Sequence, residues 1–208
     1  TSRGLGDVYK RQGLYSKKKD WDTVIILYEK GDFGATGKLE ARRCERAGLA
    51  YLIEQDYRNA RACYRKVDRA LPKSHKAFEA SFQCLKCDYC LKNPDFSERV
   101  DIFFELYAQK YPNHKHLHSA RFLQAETLYA RNELEDAALI FSNIDRSSLD
   151  TKMQRELLFK HGWCLSESGQ FDGANRSFSR FLAEFPNDPR AAQVYNKRAE
   201  AHLSLGDY

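Results

Sequence analysis

The chain has little of what sheets, membrane spans and secreted disulfide frameworks are built from. Valine, isoleucine and threonine together number 16 among 208 residues, against 43 leucines and alanines. That balance favours helices over strands. The longest run of aliphatic and aromatic residues, Val24 to Tyr28, is far too short to span a bilayer. Only five prolines occur, Pro72, Pro94, Pro112, Pro186 and Pro189, and they leave long stretches free of helix breakers. No Walker loop, GxSxG or HExxH sequence is present, so no catalytic motif of those kinds is on offer. Neither sign of charge dominates: 34 Lys+Arg stand against 29 Asp+Glu, a formal +5. Arg3, Lys10 and Arg11 against Asp7, together with the run Lys17-Lys18-Lys19, account for that excess. No basic footprint for nucleic acid remains. What is present, 42% hydrophobic and 30% charged residues, excludes disorder and low complexity and describes a mostly helical chain.

Six cysteines lack the regular spacing of a disulfide framework, which fits a reducing compartment. Cys44 and Cys63 would approach one another in an antiparallel helix pair, so one disulfide is conceivable. Cys84, Cys87 and Cys90 form CxxCxxC within an expected helix from Phe78 to Lys92. Three thiolates could hold a soft metal, and a metal or redox protein using this cluster is the alternative function. Against it, Pro94 stands where a bacterial cluster motif needs its fourth cysteine, and i, i+3, i+6 spacing spreads the thiols around and along a helix. They are read as core residues. His114, His116 and His118 form HxHxH just after Pro112. On a helix the outer two would share a face, but they fall at a turn, where polar residues are expected anyway. No metal, cofactor or catalytic residue is assigned.

One unit recurs. The unit is clearest as Gly162, Leu165, Gly169-x-Phe171, Ala174, Phe178 and Pro186, and all but the proline are matched 37 residues earlier by Ala125, Leu128, Asn132, Leu134, Ala137 and Phe141. Gly48, Tyr51, Tyr57, Ala60, Tyr64 and Pro72 form an upstream copy, Asp95, Val100, Phe104 and Pro112 a weaker one, and Trp21, Val24 and Tyr28 a partial one. Gly206 and Tyr208 repeat Gly169 and Phe171. The turns then fall at Lys19, Gln55, Asp95, Asn132, Gly169 and Gly206, in steps of 36, 40, 37, 37 and 37. This pattern of small residue, aromatic, Ala, aromatic and Pro resembles the tetratricopeptide repeat.

The resemblance implies an all-α, right-handed α-solenoid of helix pairs, in which no pair buries its apolar face alone. Expected pairs of a first helix (A) and a second (B) lie at 39–54/57–71, 75–92/96–110, 117–131/134–145 and 153–168/171–184, with a lone helix near 189–205. As repeats these are a partial unit 13–36, then 39–72, 75–112, 117–149, 153–186 and a truncated 189–208. Gly48, Ala125 and Gly162 should meet helix B most closely, opposite Ala60, Ala137 and Ala174, with Tyr64, Phe104, Phe141 and Phe178 filling the space between units.

The resemblance also implies a non-catalytic scaffold that takes a protein or peptide in a groove lined by A helices. Carried over by position, that groove comprises Leu85, Tyr89, Phe122, Glu126, Tyr129, Phe159, Lys160, Trp163, Asn196, Lys197 and Glu200. Neither nucleic acid nor membrane insertion is expected of this segment. The Phe185-Pro186-Asn187-Asp188-Pro189 turn and the helix after it are similar to bacterial envelope repeat proteins of the Tol–Pal coordinator and outer-membrane assembly type. That likeness implies an envelope location, whereas the cysteines lean cytoplasmic. Residues 1–12, TSRGLGDVYKRQ, resemble a translated sequencing adapter, which would make the chain a fragment of a larger bacterial protein with a non-native leader.

Overall fold

A computed structural model describes the backbone of residues 2–30 and 37–206, and side chains from residue 10 onward within those ranges. Among the described residues the structure is all-helical: α1 Ser2–Lys17, α2 Trp21–Glu29, α3 Gly37–Ile53, α4 Tyr57–Ala70, α5 His75–Cys90, α6 Phe96–Tyr107, α7 Lys115–Ala130, α8 Leu134–Ser142, α9 Thr151–Glu167, α10 Phe171–Glu184 and α11 Ala191–Leu205, with a 3₁₀ turn at Arg146–Ser148. The chain divides into two compact units, 1–107 and 108–208. In the first, α3 packs on α4 and α4 on α5; in the second, α9 and α10 pack on each other, with α8 against α9 and α11 against α10. The residues expected to form the leader begin α1. Gln12 is fully buried and donates to the Arg43 carbonyl at 3.4 Å.

The helices start where side chains satisfy their free N–H groups. Asp20, Asp56 and Asp150 accept from the backbone N–H three residues on, at 3.1, 3.1 and 2.8 Å, and Ser74 does the same at 3.0 Å. The A helices end in a left-handed residue, at Lys19, Gln55, Lys92, Asn132, Gly169 and Gly206. After the first five, two backbone bonds close the end in the same way. At the second, Asp56 N donates to Tyr51 O at 2.8 Å and Gln55 N to Leu52 O at 3.2 Å; at the fifth, Gln170 N donates to Leu165 O and Gly169 N to Ser166 O.

The expected turn at Asp95 is therefore displaced. The left-handed residue is Lys92, and the steps run 36, 37, 40, 37 and 37. The three extra residues follow the turn rather than precede it. Two of them lengthen the loop before α6, in which Asn93 accepts from Asp95 N at 3.1 Å and donates to the Asp88 carboxylate at 3.0 Å, letting Pro94 precede α6. The buried aromatic of α6 shifts with it. Phe103, 3% exposed, stacks on Phe78 at 5.4 Å and meets Tyr107 at 5.3 Å, while Phe104 is only half-buried. Elsewhere Tyr64, Phe141 and Phe178 are buried, as are Ala60, Ala137 and Ala174. The expected match at Tyr208 lies outside the described residues.

Candidate functional site

Of the eleven residues expected on the working surface, two belong to the first unit. Leu85 is buried, a correction with a simple cause: it stands at the helix position that Gly48 and Gly162 occupy in their pairs, facing helix B. Tyr89 is half-buried, its ring 5.8 Å from Phe96. In the second unit Phe122 and Phe159 are likewise core residues, not surface. Phe122 lies 6.0 Å from Phe141, and Phe159 5.8 Å from Phe181.

The remaining seven residues lie on α7, α9 and α11. On α7 and α9, Lys160 pairs with Glu126 and stands 5.4 Å over the Tyr129 ring. One repeat on, Lys197 stands 5.0 Å over the Trp163 ring and donates to Glu167 at 3.1 Å and Glu200 at 3.0 Å. Trp163, half-buried, stacks on Phe159 at 5.9 Å. Asn196, beside Lys197 in sequence, is exposed. Hydrogen bonds from Lys197 to Glu200 and Glu167 raise its pKa, and burial raises that of the Tyr129 phenol. Each lysine is thus a paired cation lying over an aromatic face.

Arg190, which the sequence did not single out, extends this surface towards the inter-repeat turn. It makes a two-toothed contact with Glu156 at 3.0 and 2.9 Å, bonds Asp188 through Nε at 2.9 Å, and lies 4.3 Å over the Phe159 ring. Bonds to Asp188 first, and then Glu156, raise its pKa further; the same Arg190 bond holds the Asp188 carboxyl below the usual carboxylate range.

The tetratricopeptide-repeat family profile matches residues 41–73, which hold most of α3 and all of α4, and residues 159–208, from the middle of α9 onward. The chain carries tetratricopeptide repeats. No curated protein sequence matches it. Among solved structures, a chain from Bacteroides ovatus described as a candidate protein binding protein aligns over 97% of this chain and 99% of its own, at 12% identity and a TM-score of 0.39.

Between the two matched stretches of the tetratricopeptide array lie both candidate metal motifs, and neither converges. Cys84 directs its thiol to the Arg61 carbonyl at 3.7 Å, Cys87 is buried and Cys90 is exposed. Burial pushes Cys84 and Cys87 up to about 12, so both are protonated thiols at neutral pH. Cys44 and Cys63 are free thiols, both buried around Tyr28 rather than disulfide-bonded, with the Tyr28 hydroxyl 4.0 Å from Cys44 Sγ. His114 caps α7, accepting from His116 N at 3.2 Å, while His118 accepts from Asp145 N at 3.2 Å. The outer histidines therefore serve different backbone groups. No described helix is long and apolar enough to cross a membrane.

Proposed function

We propose that the tetratricopeptide array is a protein-interaction scaffold whose second unit takes an extended or helical protein segment across its A-helix face, α7–α9–α11. The observation that carries this reading is the repeated lysine-over-aromatic set, Lys160 with Tyr129 and Glu126, then Lys197 with Trp163 and Glu167. Half-buried aromatics supply anchor area at little entropic cost, and the surrounding charges fix register. Because every lysine here already has a carboxylate partner, the face suits a partner of mixed charge and apolar anchors rather than a polyanion. The divergent thiols give the metal or redox alternative no support.

Trp21 and Trp163 are the two tryptophans, so a Trp21→Phe protein reports on the proposed anchor through its fluorescence. Peptides selected from a random library against that protein should shift Trp163 emission on binding. Trp163→Ala should weaken them at least tenfold, which is about 1.4 kcal/mol, while secondary structure survives. Selected peptides that bind with unchanged affinity to Trp163→Ala and Lys197→Glu would place the working surface elsewhere.

A further inference from the structure

The B-helix side of the second unit carries a different feature. α8 has 9 residues where α4 and α10 have 14. Its end is written in two side chains: Ser142 Oγ and Asn143 Nδ2 both donate to the Leu139 carbonyl at 2.8 Å, competing with the next helical N–H. Asp145 then starts the 3₁₀ turn by accepting from Ser147 N, Ser147 Oγ and Ser148 Oγ. Five missing residues correspond to about 7–8 Å of helix, and beside the shortened end lies a cleft of about 680 Å³, well within the span of ligand-binding pockets.

The floor of this cleft is apolar, with Phe141 and Leu158 buried beneath it, and His161 sits at its base, 3.4 Å from Ser177 Oγ. Its charged wall is one-sided. Arg146, Arg176 and Arg180 line it, and among the described residues no aspartate or glutamate does. Glu184, just outside, binds Arg146 at 2.6 Å and lies 3.8 Å from Arg180, neutralising one charge of the three. Arg176 has no ionic partner among the described residues. Burial lowers the pKa of His161, so its imidazole adds no charge at neutral pH, and the three arginines supply the positive wall.

We propose that this cleft is a second docking site, for an acidic protein segment that places an apolar side chain on the Phe141–Leu158 floor and carboxylates against Arg176 and Arg180. The charge complementarity selects the occupant. Arg176 and Arg180 are one helical turn apart on α10, a spacing that meets successive carboxylates along a chain better than one compact oxyanion. The site is independent of the A-helix face, whose lysines are already paired.

The test uses the whole chain and a fluorescein-labelled short peptide alternating glutamate with leucine, read by anisotropy at low and high salt. Binding that weakens with salt, falls at least tenfold in Arg176→Glu/Arg180→Glu, and persists in Lys197→Glu and Trp163→Ala supports the site. The milder Arg176→Gln/Arg180→Gln variant, checked by thermal melting, serves if charge reversal disturbs the fold. Equal binding by a glutamine–leucine analogue, no binding by the acidic peptide, or unchanged affinity in the arginine variants overturns the proposal. Complete displacement by millimolar inorganic phosphate also overturns it, in favour of a compact oxyanion site.

Discussion

Gly162 and Phe178 approach so closely that a Cβ added to the glycine would lie 2.7 Å from two carbons of the ring. Gly48 and Tyr64 repeat the relationship at 2.9 Å, again 16 residues apart. In both pairs the backbone of helix A is the surface on which the helix B aromatic rests.

Gly162→Ala should therefore destabilise the protein by about 1–3 kcal/mol through overpacking, although alanine is the better helix former by about 1 kcal/mol. Gly173→Ala is the control. Its Cβ would meet only the flexible end of Leu165, at 3.0 Å, so propensity should win and the change be neutral or stabilising. Equal denaturation midpoints for the two variants would show that the Gly162 contact is not limiting.

That contact was legible in the sequence because small residues and aromatics recur at a fixed interval. Where the interval is broken, legibility failed. Lys92 has φ +50, a conformation that nothing in a lysine announces, and Pro94-Asp95 looked more like a turn. Within the candidate surface, Tyr129, Trp163 and Lys197 do lie on successive A helices. Leu85, Phe122 and Phe159 did not declare their burial, since one residue along a helix turns a side chain by about 100°. Arg190 was invisible because its partners Phe159 and Glu156 are 31 and 34 residues away. The B-side cleft depends on where α8 stops, a competition between Ser142 and Asn143 and the backbone that periodicity does not report.

Asp88 is a buried carboxylate amid the cysteine run, 2% exposed. Arg61 Nε lies 2.9 Å from it, Arg99 3.7 Å, and Asn93 Nδ2 donates to it at 3.0 Å. Removing one partner of a buried charge set typically costs about 3–5 kcal/mol. Asp88→Ala should show a loss of that order in urea denaturation, more than Asp88→Asn, which keeps an acceptor for Asn93. A shift under about 0.5 kcal/mol would mean that solvent replaces the carboxylate freely.

The thiols give a reactivity and a pH prediction. Burial, the leading cause in each case, pushes Cys44, Cys84 and Cys87 up to about 12 and Cys164 to about 11. Iodoacetamide at neutral pH should label exposed Cys90 first and those four only on unfolding. A raised folded-state pKa gives stability that is complete below the unfolded thiol value, near 8.5. It is lost as pH rises towards 11–12, because the unfolded chain releases protons first. The melting temperature should fall through that window, less steeply in Cys84→Ala/Cys87→Ala. Labelling of Cys84 and Cys87 at the rate of Cys90, or stoichiometric zinc, would reverse their assignment to the core.

Arg190 is where arginine and lysine should differ most. Its planar fork meets Glu156 with two N–H groups, reaches Asp188 through Nε at 2.9 Å and Nη2 at 3.1 Å, and stacks over Phe159. A lysine keeps the charge but supplies one compact ammonium, without the fork or the flat face. Arg190→Lys should therefore cost about 1–2 kcal/mol at neutral pH, the figure kept modest because the side chain is partly exposed and screened. Since Arg190 depresses the Asp188 pKa, the stability tied to that pair is present above the ordinary carboxylate range. It disappears as pH falls through the lowered value. The difference between the parent protein and Arg190→Lys should stay constant from about pH 5 to 8 and narrow below about pH 4. A gap that persists undiminished at low pH would assign the effect of Arg190 to its stacking on Phe159 rather than to the carboxylates.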